Sequence, residues 1–299
     1  MAENKKVFFI INKYSGTGYR PEVEGRIIDR CGELGYECTI EFTQSRGHAT
    51  ELAQQAVKEK FKIAFAMGGD GTVNEVAQGL VHTETALGIL PKGSGNGLAR
   101  HLKIPLKFKD ALELLPHHQV LKMDTFLVND HLSVNVSGIG FDGHIANLFG
   151  KNGKRGLMTY GKLVMSEFNT FKESKGQVII DGNHLERDSF ILAFANSSQF
   201  GNNARIAPFA SVCDELIDVC FIKKVPVSQV VGFASKMFTG KMESSAFVEI
   251  IKAKQIQVNF SSPIAYHIDG EGHTASRSFE VRMQPRSLNI LVPTTLSVF

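Results

Sequence analysis

The sequence has no marked excess of either charge, no long apolar run and no paired cysteines, and each absence removes a class of protein. Its 33 Lys and Arg against 30 Asp and Glu leave a net charge of +3. That permits attraction to an anionic membrane surface but falls far short of a nucleic-acid-binding signature, so nucleic acid is not expected as a partner. No apolar stretch approaches the ~20 residues a spanning helix needs, and no signal peptide is read ahead of Val7. The expected location is therefore the cytoplasm. Cys31, Cys38, Cys213 and Cys220 form no Cys-x-x-Cys pair, which argues against a disulfide framework or a zinc site. Internal repeats and low-complexity linkers are missing as well, so any domains should abut closely.

What is present is ordinary globular material, with 43% hydrophobic and 21% charged residues over 299 positions. That length favours two domains over one core. The first 125 or so residues alternate strand and helix patterns. Val7 to Ile11 is an apolar strand, followed by the loop Asn12-Lys13-Tyr14-Ser15-Gly16-Thr17-Gly18 and a helix from Pro21 to about Leu34. A strand over Tyr36 to Phe42, a helix over Ala49 to Glu59 and strands over Ile63 to Met67 and Ala86 to Leu90 continue the rhythm. Continuous apolar strands with helices between them predict a parallel sheet covered on both faces. Ligands of such sheets sit at the carboxyl ends of the strands, where the glycine loops fall. After Asp124 the pattern changes to strands at Leu132 to Val136, Gln177 to Ile180, Phe190 to Ala195, Asp218 to Ile222, Gln255 to Phe260 and Phe279 to Met283. Turn signals such as Asp181-Gly182-Asn183 predict a mostly antiparallel second domain, interrupted by helices at Tyr160 to Phe171 and Ser228 to Phe238.

The loop Gly68-Gly69-Asp70-Gly71-Thr72 joins an apolar strand to a helix pattern over Val73 to Val81. Glycines let backbone approach a phosphate closely, and the N–H groups of a helix start face the anion. Asp70 in its middle would repel bare phosphate, so it needs a metal ion, a proton to accept or a raised pKa. That combination points to phosphoryl transfer; the plainer alternative is that Asp70 caps its helix. Gly93-Ser94-Gly95-Asn96-Gly97 repeats the strand–loop–helix logic, with Ser94 and Asn96 able to donate to phosphate oxygens or to a neighbouring loop. Gly138-Ile139-Gly140-Phe141-Asp142-Gly143 matches the dinucleotide fingerprint, yet the basic stretch Lys151 to Arg155 follows where a βαβ unit should, so a structural role is favoured. Glu271, flanked by Gly270 and Gly272, is uncrowded and can be aimed into a cleft. His267 and His273 beside it are read as structural rather than metal-ligating, and Asp214 by itself is no more than an acid at a strand start.

Together these motifs resemble the diacylglycerol kinase catalytic-domain family, which includes bacterial lipid kinases and the sphingosine and ceramide kinases. The resemblance covers nearly the whole chain: Gly68 to Thr72 with Asn74-Glu75, Pro91 to Asn96, Lys122-Met123-Asp124, Gly138 to Gly143, Ala204 to Pro208 and Ile268 to Glu271. It implies an α/β domain over 1–125, similar to NAD kinase and phosphofructokinase, that holds ATP. A mostly antiparallel β-sandwich domain over 126–299 would hold a lipid, with the last roughly 10–15 residues able to return to the first domain. By the same resemblance Asn12, Lys13, Tyr14, Ser15, Gly16, Thr43, Gly69, Asp70, Gly71, Thr72, Val73, Asn74, Glu75 and Ser94 contact ATP. Glu271 and Asp70 are the catalytic acids. Asp214 binds Mg²⁺ with the main-chain carbonyls of Ser211 and Leu216, and Asp124 belongs to the acidic network around magnesium. The chain departs from the family pattern in having Lys13 for proline, Thr17 for a basic residue, Gly97 where some bacterial members have aspartate, and Glu215 for glycine after the metal aspartate.

The implied reaction is transfer of the ATP γ-phosphoryl group to a lipid hydroxyl, with Glu271 taking the proton and Asp70 organising Mg²⁺ or the hydroxyl. Diacylglycerol or a related glycerolipid is favoured over sphingoid or ceramide acceptors. The rivals are a soluble-substrate kinase of the NAD kinase type and a nucleotide-binding regulator. Membrane contact is expected to be peripheral. Tyr160, Val164, Phe168 and Phe171 form an apolar stripe beside the basic Lys151 to Arg155 loop, which suits either an interface or packing on the β-sandwich. A homodimer is left open.

Overall fold

In the computed structural model, which describes residues 5–16, 19–151 and 157–296, the chain forms two compact units. One comprises Met1–Met123 with Arg286–Phe299, the other Asp124–Pro285. Thr17, Gly18 and residues 152–155 of the basic loop lie outside the described residues.

The first unit alternates β1 (Lys6–Ile11), α1 (Glu22–Leu34), β2 (Glu37–Phe42), α2 (His48–Lys58), β3 (Ile63–Gly68), α3 (Asp70–Leu80) and β4 (Ala86–Pro91). Short helices α4 (Gly97–His101) and α5 (Phe108–Leu112) follow. The strands pair in parallel in the order β4-β3-β1-β2. Phe8, Phe9, Ile10, Phe65, Leu87 and Ile89 are buried, as strands covered on both faces require. Gly35, at φ 71°, stops α1 in a left-handed turn whose N–H reaches back to the carbonyls of Cys31 and Gly32. Gly79 lets α3 lie against α2: a Cβ there would sit 2.5 Å from the Ala53 Cβ and 2.7 Å from the Thr50 carbonyl oxygen. Beyond β14 residue Arg286 the chain belongs to this unit again, with Ile290 pairing in parallel with Leu87, β14 being Glu271–Pro293.

The second unit is β-sandwich-like. It follows β5 (His118–Val128) with β6 (His131–Ser133), β7 (Val136–Gly140), α6 (Phe141–Lys151), α7 (Leu157–Glu167), β8 (Ser174–Ile180), β9 (Asn183–Ser189), β10 (Ile191–Ala195) and β11 (Ile217–Ile222). Then come α8 (Val230–Thr239), β12 (Val248–Ala253), β13 (Gln255–Ile268) and the first part of β14. Strands run antiparallel in the order β12-β11-β10-β7-β13-β14, and the β8–β9 hairpin joins at β13. Three hairpins turn through two residues at positive φ: Asn129-Asp130, Asp181-Gly182 and Asp269-Gly270. Left-handed residues at both turn positions match the twist of the flanking strands. The core between the strands contains Phe126, Phe194, Phe221, Val258 and Phe279.

Two sequence expectations change. The strand expected over Leu132 to Val136 is two strands, because the N–H groups of Val134 and Asn135 donate to the Asp269 carboxylate instead of to a ladder. The strands expected to end at Phe260 and Met283 run much further, to Ile268 and Pro293. β13 crosses Ser261-Ser262-Pro263 through register shifts between Asn259 and Tyr266 rather than stopping there. α7 begins at Leu157 and ends at Glu167; Phe168 and Phe171 follow it and pack with Val164 on Phe141 and Phe190. That is the packing alternative for the apolar stripe.

Candidate active site

In the first unit the carboxyl ends of β1, β3 and β4 deliver three loops whose side chains hold one another. Asn12 donates from its Nδ2 to the Thr72 Oγ1 at 3.0 Å, and its Oδ1 accepts the Tyr14 N–H at 2.9 Å. Thr72 is buried and fills the space above Gly68, where any Cβ would collide with it. Lys92 donates to the carbonyls of Asn12 and Lys13 at 3.5 and 3.4 Å, and burial lowers its ammonium pKa. Lys13 itself lies over the Phe42 ring, 3.6 Å from its centroid. Gly16, at φ 64°, passes so close to the Lys92 carbonyl that no side chain fits. Gly69 and Gly93 touch: a Cβ on Gly93 would lie 2.6 Å from the Gly69 Cα.

Asp70 ties the two glycine loops together. Its Oδ2 accepts the Asn96 N–H at 2.9 Å and its Oδ1 the Gly97 N–H at 2.7 Å. The helix it caps is therefore α4, not its own α3, whose cap residue Gly69 has no side chain to offer. Asn96 sits at φ 50°, ψ 50° and closes its loop from both sides, accepting the Gly93 N–H at 2.9 Å and donating to the Gly93 carbonyl at 2.8 Å. The anion that sequence reasoning expected to repel phosphate is thus met by two backbone donors. The cap residue of α3, Gly69, makes no side-chain hydrogen bond to the helix start, and Ser94 is exposed. Asn74 and Val73 are buried, and Asn74 accepts from Gln78 at 2.6 Å. Glu75 accepts the Ala49 N–H at the start of α2 at 3.3 Å. Thr43 and Ser15 are buried, and the Thr43 N–H is bound to the Ile11 carbonyl. The glycine cradle and the uncapped helix start fit a nucleotide phosphate.

In the second unit Glu271 opens β14 opposite Ile268, directly after the turn Asp269-Gly270. That turn is clamped from two sides. Buried Asp269 accepts from the Ser133 hydroxyl at 2.6 Å and from the N–H groups of Val134 at 2.9 Å and Asn135 at 3.0 Å. The Gly270 N–H donates to His267 Nδ1 at 3.1 Å, which leaves Nε2 to carry the proton toward Asp142 Oδ2 at 3.2 Å. His267 and Asp142 are both buried. Gly143 and Gly272 bring α6 onto the hairpin, where a Cβ on either would overlap the neighbouring element. Gly138 and Gly140 lie inside β7, antiparallel to both β10 and β13. The 138–143 glycines serve packing, as the sequence favoured. Sequence reasoning missed Ser133, Asp142 and Asp269 as supports of Glu271. Asp269 had a signal in its Asp-Gly turn, whereas Ser133 had none.

Of the residues expected around Mg²⁺ in this unit, the two aspartates meet protein partners. Asp214 Oδ1 accepts the Leu216 N–H at 3.2 Å, and Lys252 Nζ lies 2.5 Å from its Oδ2. Fully buried Asp124 accepts the Glu215 N–H at 2.7 Å. The Ser211 hydroxyl accepts the Cys213 N–H at 3.4 Å. Glu215 is held at φ 62°, a conformation that glycine takes without strain. Asp218, four residues on from Asp214, has its pKa pushed up to about 6 by burial, against the lowering pull of Lys252. An ammonium already on the metal aspartate does not fit a Mg²⁺ ion there. Among the described residues no cluster of three or more His, Cys, Asp or Glu has the arrangement of a metal site.

Residues 6–128 match the diacylglycerol kinase catalytic domain, and residues 135–292 match the YegS C-terminal NAD kinase beta sandwich-like domain. A diacylglycerol kinase of Bacillus subtilis (strain 168) is 25% identical, over 89% of this chain and 90% of its own. A Chromohalobacter salexigens protein named "Probable lipid kinase YegS-like" is 26% identical, over 91% and 89%. The crystal structure of a diacylglycerol kinase from Bacillus anthracis str. Sterne superposes with a TM-score of 0.77 at 20% identity, covering 98% of each chain. That likeness shows the fold.

Proposed function

Because this chain belongs to the diacylglycerol kinase catalytic-domain family of lipid kinases, we propose that it transfers the γ-phosphoryl group of ATP to a hydroxyl of a membrane glycerolipid. The observation that carries the reading is the double grip of Asp70 on Asn96 and Gly97. It joins two glycine loops into one cradle at the strand ends, and a cradle of backbone N–H groups suits a polyphosphate. Asn12 to Gly16, Thr43, Gly69 to Thr72 and Ser94 are the proposed ATP contacts. Val73, Asn74 and Glu75 act through the set of α3, since the first two are buried and the third holds α2.

The lipid hydroxyl attacks the γ-phosphorus; its O–P bond forms as the bond to the β-phosphate oxygen breaks, and ADP leaves. Glu271 takes the hydroxyl proton late in transfer, held in place by the Asp269 and His267 clamps. Asp70 keeps the phosphate loops in register. Mg²⁺ accompanying ATP would supply charge neutralisation, with Asp70 as its nearest acidic candidate in the first unit. The lipid chains belong to the second unit, beside the aromatic group of Phe141, Phe168, Phe171 and Phe190. Contact with the membrane is peripheral, with Met165 of α7, 78% exposed, on the face turned from that group. The expected location is the inner face of the membrane; a homodimer is compatible with this.

The test is radiolabel transfer from ATP with Mg²⁺ to diacylglycerol, ceramide and sphingosine in identical mixed micelles, with NAD assayed alongside. Label in diacylglycerol first is the expected result. Label in NAD and in no lipid would establish the soluble-substrate rival, and label in none would leave a nucleotide-binding regulator.

A further inference from the structure

β11 and β12 pair antiparallel in a register that sets Lys252 directly opposite Asp218. Directly opposed residues share one face of a sheet. From there the Lys252 Nζ reaches Asp214 Oδ2 at 2.5 Å and stands 3.7 Å from Asp218 Oδ2. The Asp218 carboxyl is almost wholly buried, its Oδ2 has no hydrogen-bond donor among the described residues, and the Lys252 ammonium faces it. A second lysine, Lys254, stands 3.7 Å from the Glu215 carboxylate. The acids of the turn thus see lysines from one neighbouring strand and its end.

Mg²⁺ takes about six oxygen ligands at roughly 2.0–2.1 Å, several of them waters and one or two of them carboxylates. Here the remaining carboxylate positions accept main-chain N–H groups, Leu216 to Asp214 and Glu215 to Asp124. A magnesium ion on Asp214 would sit against an ammonium of like charge.

We infer that Lys252, presented by the register of β12, occupies the place of a divalent cation at the Ser211–Leu216 turn, so that this turn is held without metal. The inference is independent of the lipid-kinase reading, because it is read in metal binding and melting rather than in turnover. A failed kinase assay and a failed binding assay are therefore separate results.

The experiment uses the full chain without nucleotide. Bound Mn²⁺ is counted by electron paramagnetic resonance, and melting is followed in EDTA and in millimolar MgCl₂. Wild type and Asp214→Asn should bind the same number of ions, and neither should melt higher in Mg²⁺. Lys252→Gln vacates the position between Asp214 and Asp218, so it should bind one ion more. Its melting temperature should rise by about 5 °C at a Mg²⁺ concentration about a hundred times the dissociation constant. Lys252→Arg keeps a cation and should behave as wild type. If Lys252→Gln does not fold in EDTA, recovery in MgCl₂ supports the inference and failure to recover overturns it. An extra ion in wild type or Lys252→Arg relative to Asp214→Asn overturns it, as does a Lys252→Gln protein that gains none.

Discussion

Asp70 has one duty the structure shows, its grip on Asn96 and Gly97, and a second that the proposed function gives it in phosphoryl transfer. Its oxygens accept two main-chain N–H groups, and an asparagine offers only one oxygen and turns an NH₂ toward the other donor. Asp70→Asn is therefore expected to cost about 1–3 kcal/mol of stability as well as activity. Turnover should fall by about 10²-fold or more. Paired urea melts and initial rates check this, and an unchanged melt would show that the loop contact is dispensable. Glu271 is the opposite case, since its proposed role belongs to the transition state. Glu271→Gln should lower kcat by about 10²–10⁴-fold while leaving ATP affinity alone. Asp269→Asn removes part of the clamp without touching the reacting atoms. It should lower kcat less than Glu271→Gln does and should melt lower, because one of three buried donors loses its acceptor. Equal melting of wild type and Asp269→Asn would remove Asp269 as a support.

At the scale of elements, α4 is five residues long and ends at His101. Burial pulls the His101 pKa down from 6.5 to about 4. The folded state thus refuses a proton that the unfolded chain accepts, so His101 leaves stability intact above pH 6.5 and removes it as the pH falls toward 4. The loss should be about 3 kcal/mol. His101→Gln should remove that part of the pH slope, measured as urea midpoints across the window. Identical slopes for both proteins would refute the assignment. The α2–α3 contact is the second element-scale test. Gly79→Ala places a methyl against Ala53 and the Thr50 carbonyl, with an expected cost of about 1–3 kcal/mol. Because Glu75 of α3 holds the start of α2, the same change should weaken nucleotide binding if α3 is set by this packing; calorimetric titration with ATP reads it directly.

For the whole molecule, the chain divides into a parallel α/β unit and an antiparallel unit, and the proposed function assigns phosphate handling to the first and lipid handling to the second. No helix among the described residues is long and apolar enough to cross a membrane. On the function proposed above, lipid specificity comes from apolar surface in the second unit. Each CH₂ removed from water contributes roughly 0.8 kcal/mol, about fourfold in affinity. The apparent KM should fall with acyl length until that surface is covered and then level off. A KM independent of chain length, in micelles of constant surface composition, would place the lipid tails outside the protein.

Much of this protein was determined by local pattern. The apolar runs at Val7 to Ile11 and Ile63 to Met67, each ending in small residues, specify buried parallel strands with loops at their carboxyl ends. The Asp-Gly turns specify hairpins, because few other residues take two left-handed positions in succession. The loops at 68–72, 93–97 and 268–271 were legible for the same reason: glycine is required where backbone must approach closely or turn back. Partnership across long separations was not legible. Asp70 grips Asn96, Asp269 grips Ser133 to Asn135, and Lys252 faces Asp218 only once the strands have found their register. A carboxylate's charge is written in the sequence, but the donor that satisfies it is chosen by which backbone the fold carries past it. For the same reason a turn that resembled a magnesium site holds a lysine instead. The residues that distinguish the two lie on a neighbouring strand, and only tertiary structure brings that strand alongside.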